Sequence, residues 1–297
     1  MVPRQTWDRS LYRLDAVGAA VEFRGEIVRA PRARFTSVAA WWLPRFSVRA
    51  ARRILRPMKE IGTVRHLFRY PVKSMAGVPI DSANLGWHGL QGDRRFAFRR
   101  TATRSGFPWL SASRLNELIL HHPFGASEHD PSLPTHVRTP DGRELELFSI
   151  ELRAALSASH GEDLELMRLD HGIFDEAPLS VISAVTIREI ERQAGRHLDL
   201  RRFRPNVIFE TTGAEPFHED TWVGKTLMFG DQPDAPAVTV TLRDKRCVML
   251  NIDPDTAEND ANIMKTTVRL NGNYAGVYGT VVREGRAAVG QTLWLKD

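Results

Sequence analysis

Short strands, with no long amphipathic repeat among them, set the limits on how this chain can fold. Leu227–Phe229, Val238–Leu242, Cys247–Ile252, Val277–Val282 and Leu293–Leu295 are runs of strand length set apart by turn-forming residues. Glu284-Gly285 reads as the hairpin turn between the last two. Upstream, Val64, His66, Phe68, Tyr70 and Val72 alternate with Thr63, Arg65 and Arg69, the period of a half-buried strand, with Leu67 out of phase. Asp93–Arg99 follows a loop punctuated by Gly86, Gly89 and Gly92, and Glu144–Leu147 follows the turn Pro140-Asp141-Gly142. Few helices interrupt this pattern. Ser149 caps one running to about Ser157 with Leu152 and Leu156 on one face, and Ser183 and Gly195 bracket another. The fold expected is mainly β with a minor α part: two β-barrel-like domains with a few short helices. Neither a glycine-rich dinucleotide fingerprint nor a P-loop is present.

At 297 residues and 42% hydrophobic content, two ordinary cores are expected. The boundaries fall at 1–57, an Arg-rich extension; 58–178, an N-terminal β-barrel domain; and 179–297, a second β domain. Residues 1–57 hold 12 arginines against four acidic residues, so the net charge of +5 belongs to the extension and the remainder is mildly acidic. That distribution argues against a phosphate-tracking surface on the body, and no nucleic-acid partner is expected. Phe35, Val38, Trp42 and Phe46 would share a helical face near several arginines, a pattern of membrane contact or an import signal, but Pro44 interrupts it. The extension is read as peripheral or disordered, with Met58 as the start of the body.

One cysteine, Cys247, serves the whole chain. It excludes intrachain disulfides, an all-cysteine zinc site and a cysteine-held iron–sulfur cluster, and it fits a reducing, cytoplasmic setting. Lys245 and Arg246 precede it, and two adjacent cations favour the thiolate that binds metals. A buried structural cysteine is the plainer reading of such a residue. His121, His122, His129 and His136 have no zinc-site spacing and read as loop and surface residues. Three further cationic turns lie along the chain: Lys73-Ser74, Asp93-Arg94-Arg95 and Arg204-Pro205-Asn206. Together with Cys247 they suit a phosphate-bearing cofactor clamped by cations while one thiolate reaches a metal. Pro205 should hold Arg204 in extended geometry at a strand entrance, and Ile173–Pro178 reads as a linker.

Tyr70-Pro71-Val72-Lys73-Ser74, Phe203-Arg204-Pro205-Asn206, Arg246-Cys247 and Asp253-Pro254-Asp255-Thr256 occur in the order and approximate spacing of MOSC-domain proteins. The chain most resembles the branch with an added N-terminal β-barrel, the amidoxime-reducing components and their bacterial counterparts, from about Ile61 to Leu295. The resemblance implies that the Cys247 thiolate ligates molybdenum held by a pterin dithiolene. It implies that Lys73, Ser74 and Arg94 contact the pterin or its phosphate, that Arg204 and Asn206 lie near the cofactor, and that Lys245 and Arg246 lead into the ligand. It implies reduction of small N-hydroxylated substrates, with Asp253 or Asp255 as a proton relay unless the pair only forms a turn. A cofactor or sulfur carrier without turnover is the alternative. With one cysteine the chain holds no iron–sulfur cluster, so a separate electron-donor protein is expected. Three departures stand out: Ala112-Ser113-Arg114 where the family has Ala-Arg-Gln, Gly279-Thr280-Val281 where it has Gly-Gln-Tyr, and Ala257 in place of a glycine. Tyr278 is the candidate substitute for the absent tyrosine.

Overall fold

The computed structural model describes residues 58–297 except 212 and 214; the Arg-rich extension, with its proposed membrane and start-site readings, lies outside the described residues. In the N-terminal half the strands are β1 (Met58–Arg69), β2 (Val78–Ile80), β3 (Ser82–Gly86), β4 (Gly89–Leu90), β5 (Phe96–Arg100), β6 (His122–Phe124), β7 (His136–Arg138), β8 (Glu144–Glu146) and β9 (Leu164–Arg168). In the C-terminal half they are β10 (Leu179–Ser183), β11 (Val207–Glu210), β12 (Thr226–Phe229), β13 (Ala237–Lys245), β14 (Tyr274–Arg283), β15 (Gly285–Ala288) and β16 (Thr292–Lys296). Three α-helices join them: α1 (Ile150–His160), α2 (Ala184–Ala194) and α3 (Ala261–Asn271). The protein is mainly β, as expected.

Seven strands close on themselves in the order β1, β11, β10, β14, β13, β12, β16, because β1 pairs with both β11 and β16; β2 is added beside β1. Closure leaves the ring without an edge. All these pairs are antiparallel except β10–β11, whose parallel pairing requires a crossover, and α2 supplies it. Ser183 caps α2 by accepting from the Thr186 N–H, and Gly195 ends it in the left-handed region at φ 70°. The inner face packs Val64, Leu67, Val181, Val207, Phe209, Trp222 and Val277 into one core. On the outer face Phe68, Ile182 and Ile208 pack with Ile187 and Ile190 of α2 and Ile263 of α3. With both faces covered, β10 is buried at every position and β11 at all but Glu210.

Leu67, the residue out of phase, is explained by a register shift in β1 between Val64 and His66. The bulge adds a residue, exposes His66 and turns Leu67 into the barrel core. A second core lies under β5–β9 and β6–β7–β8, with Phe96, Phe98, Leu110 and Leu145 packed on Leu152 and Leu156 of α1. Ile252 and Ala257 of the C-terminal half also join this core. The barrel takes β1 from before residue 178 and its other six strands from after it.

Four local expectations are corrected. Cys247–Ile252 is not a strand: Val248–Asn251 is a single 3-10 turn that Cys247 opens, with the Leu250 N–H donating to the Cys247 carbonyl at 3.0 Å. Asp93 and Arg94 precede β5 in a turn, with Arg94 at φ 46°. Arg204 is left-handed at φ 49°, ending the 3-10 turn Leu200–Phe203, so tertiary contacts outweigh the extended preference that Pro205 imposes. His121 is also buried, its Nδ1 3.0 Å from the Glu117 carbonyl oxygen.

A cation-lined cavity around Cys247

Chain segments far apart in sequence meet where β1, β10, β11 and β13 turn toward Cys247. Lys73, Ser74, Arg94, Arg204, Lys245, Arg246 and Cys247, all singled out in the sequence, line one cavity of about 360 Å³. With Arg202 the lining contains six cations, against three carboxylates from Asp175, Glu176 and Asp244. Such an excess of positive charge in a confined space favours an anionic occupant. Cys247 is exposed into it, as a thiolate ligand must be and a structural cysteine need not be.

Five of the six cations are held by the fold. The Lys73 N–H donates to the Phe96 carbonyl at 2.8 Å, and its ammonium donates to the Phe174 carbonyl at 2.8 Å. Ser74, at φ 66°, places its hydroxyl 3.7 Å from the Met249 sulfur in the turn that carries Cys247. Arg94 is almost wholly enclosed. Its Nη1 pairs with Asp93 at 2.5 Å, its Nε pairs with Asp175 at 2.5 Å, and its Nη2 donates to the Arg204 carbonyl at 2.9 Å. Burial alone would lower its pKa, but Asp93 and Asp175 overcome that and hold it raised. Arg95 turns away to the Leu169 and Asp170 carbonyls. Arg204 donates from Nη1 to the Met75 carbonyl at 2.8 Å, and burial pushes its pKa down to about 10.

Arg246 is fixed by the Ala275 carbonyl at 2.7 Å, by the Phe203 carbonyl and by an ion pair with Asp244 at 2.9 Å. Gly276, at φ 85°, leaves it room: a Cβ there would lie 2.7 Å from the Val181 carbonyl oxygen and 3.1 Å from Arg246 Nη2. Lys245 at the end of β13 is exposed. Asn206 stands behind the cavity wall, fully buried. Its Oδ1 accepts from the Ser180 N–H at 3.0 Å and its Nδ2 donates to the Phe68 carbonyl at 3.2 Å, which ties β10, β11 and β1 together at the cavity's base.

Asp253 is placed elsewhere. Its carboxylate pairs with Arg202 at 2.5 Å and accepts from the Asp255 and Thr256 N–H groups at 3.0 and 3.1 Å. It shapes a turn and does not line the cavity, and Asp255 pairs with Arg201 at 2.5 Å. The carboxylates of this acidic pair are taken up by Arg202, Arg201 and the N–H groups of the turn itself.

The structure adds groups the sequence did not mark. Asp175, inside the supposed linker, lies against Arg94; burial would raise its pKa, but the charges of Arg94 and Lys73 hold it below the usual carboxylate range. Asp244 accepts from the Ser180 hydroxyl at 2.8 Å, and burial pushes it up to about 6 against the pull of Arg246. Tyr278 does reach the cavity, its hydroxyl 3.4 Å from Asp175 Oδ1, and burial raises its pKa. Ser113, from the stretch that departs from the expected Ala-Arg-Gln, also lines the cavity, with Ser111 and Phe107. Nothing in the linker-like setting of Asp175 distinguishes it; the alternation of β13, which turns Asp244 and Arg246 inward, was the one available signal for Asp244.

No group of three or more His, Cys, Asp or Glu side chains is placed to hold a metal among the described residues. The protein therefore offers a metal at this cavity one thiolate, and further ligands would have to arrive with the cofactor, as a dithiolene provides. The donor set fits that group.

Comparison with known proteins gives the family likeness. Residues 160–294 match the MOSC domain, and residues 61–106 match the MOSC N-terminal beta barrel domain. The mitochondrial amidoxime reducing component 2 of Homo sapiens is 23% identical over 254 residues, covering 71% of this chain and 73% of that protein. The mitochondrial amidoxime-reducing component 1 of Mus musculus is 24% identical over 281 residues, covering 77% and 79%. Among solved structures, the YUAD protein from Bacillus subtilis aligns with a TM-score of 0.45 at 13% identity, covering 81% of this chain and 97% of that one.

Proposed function

Because the chain is a MOSC-domain protein that carries the MOSC N-terminal barrel domain ahead of the MOSC domain, we propose that it is a molybdenum-cofactor-dependent oxidoreductase that reduces small N-hydroxylated compounds. The observation that carries this reading is the exposed thiol of Cys247 in a cavity lined by six cations. The names of the relatives support the substrate class.

In this reading Lys73, Arg94, Arg204 and Arg246 hold the anionic part of the cofactor, with Ser74 as a hydroxyl donor and Asn206 keeping the strands beneath them in register. Lys245 sits at the rim. Cys247 supplies the protein's thiolate. When bound, molybdenum supplies two-electron chemistry at an N–O bond. Overall, an amidoxime takes up two electrons and two protons, its N–O bond breaks, and an amidine and water leave. The electrons come from a separate donor protein. Asp175 keeps Arg94 oriented, and Tyr278 lines the same cavity with its hydroxyl 3.4 Å from Asp175 Oδ1. The depressed pKa of Asp175 keeps it ionised at neutral pH, so it accepts hydrogen bonds there.

The test is metal analysis of the full chain produced in a host that makes the cofactor, followed by benzamidoxime reduction with an artificial electron donor. About one molybdenum per chain, lost in Cys247→Ala, together with turnover, is the expected result. Folded wild type without molybdenum would sink the proposal. Retained molybdenum without turnover would instead make the protein a cofactor or sulfur carrier.

A further inference from the structure

Tyr70 has no part in the chemistry above, yet its ring lies against two of the cavity's cations. The guanidinium carbon of Arg204 is 4.4 Å from the ring centroid and that of Arg94 is 4.8 Å. The side chain is 1% exposed and its hydroxyl has no hydrogen-bond partner. A buried tyrosine usually satisfies that group, so the ring itself is what the site uses.

The ring cannot drift. The Tyr70 N–H donates to Asp93 Oδ1 at 2.7 Å, and the Tyr70 carbonyl accepts from the Arg94 N–H at 2.7 Å. Gly77 runs so close that a Cβ there would lie 2.3 Å from the Tyr70 Cε1. The two cations it faces are not equivalent. Arg94 has Asp93 and Asp175, whereas Arg204 has no carboxylate within ion-pair distance among the described residues. Two adjacent cations repel in a poorly solvated site, and the π face of an aromatic ring is a compensating negative surface that cannot itself compete for an anion's place.

We infer that Tyr70 is a positioning residue: its ring holds Arg94 and Arg204 side by side, so that two cations converge on one anionic group in the cavity while Arg204 stays free of any protein carboxylate. This rests on the reading of the cavity as the seat of an anionic cofactor.

Replacement of Tyr70 by phenylalanine and then by mono-, di- and trifluorinated phenylalanine keeps the shape and drains the ring's negative face. Inorganic phosphate is titrated calorimetrically into the full, cofactor-free chain, with the melting temperature followed in parallel. Tyr70→Phe should bind within about twofold of wild type, because the hydroxyl makes no hydrogen bond. Affinity should then fall with each fluorine, by roughly tenfold at the third, with the melting temperature steady. A flat series in proteins that still bind phosphate overturns the role of Tyr70 and leaves the proposed function standing. Wild type that binds no phosphate overturns both.

Discussion

Asn206→Ala removes a side chain that joins three barrel strands beneath the cavity. Asn206 is 0% exposed, its Oδ1 accepts from the Ser180 N–H at 3.0 Å, and its Nδ2 donates to the Phe68 carbonyl at 3.2 Å. The contact to Arg94 Nη1, at 3.4 Å, is long and contributes little. Truncation therefore orphans one buried N–H and one buried carbonyl. At roughly 1–3 kcal/mol for each unsatisfied group, the loss falls at about 2–6 kcal/mol, and a water admitted to the vacated space would bring it to about 3 kcal/mol. In urea unfolding that is a midpoint lowered by roughly 1 M with an unchanged slope. Asn206→Asp restores the acceptor for Ser180 but not the donor to Phe68, so it should recover only part of the loss. A shift below about 0.3 M for Asn206→Ala would show that the barrel base does not depend on this amide.

Further expectations concern charge and backbone. Burial raises Asp244 from 3.8 to about 6, so between those values the folded protein keeps a proton that the unfolded chain has released. The contribution of Asp244 to stability should therefore fall as pH rises from about 4 to about 6 and then level off; Asp244→Asn should remove that contribution, and a stability difference between wild type and variant that does not change with pH across this range would refute the assignment. Gly62 bulges β1 at φ 151°, and a Cβ there would lie 2.0 Å from the Glu210 carbonyl oxygen; Gly62→Ala should lose roughly 2–4 kcal/mol by chemical denaturation, since the β1–β11 seam closes the barrel. Cys247→Ala should leave the unfolding free energy within about 0.5 kcal/mol of wild type, because the thiol is exposed, while cofactor retention is lost.

Periodicity and capping made much of the barrel legible. β12, β13, β14 and β16 extend the expected runs by a few residues, and Ser149, Ser183 and Gly195 terminate their helices as expected. Local rules failed where long-range contacts compete with them. Leu67 broke the alternation because β1 carries a bulge, and α3 buries Thr266 and Thr267 beside Ile263, so apolar residues do not mark its inward face. Arg204 adopts a left-handed backbone despite Pro205, held among Tyr70, Met75 and Arg94.

By itself, the sequence determined the predominance of β structure, the single available thiol and the cationic turns that surround it, because alternation, capping and residue chemistry are local properties written in consecutive positions. Only the tertiary structure decided that those turns share one cavity, that Asp253 serves Arg202 and a turn, and that Asp175, Asp244 and Tyr278 face the cations. Each of these depends on which side chains closure of the barrel brings within hydrogen-bonding reach, and residues 100 or more positions apart, such as Lys73 and Phe174, carry no mark of that meeting in their own neighbourhoods.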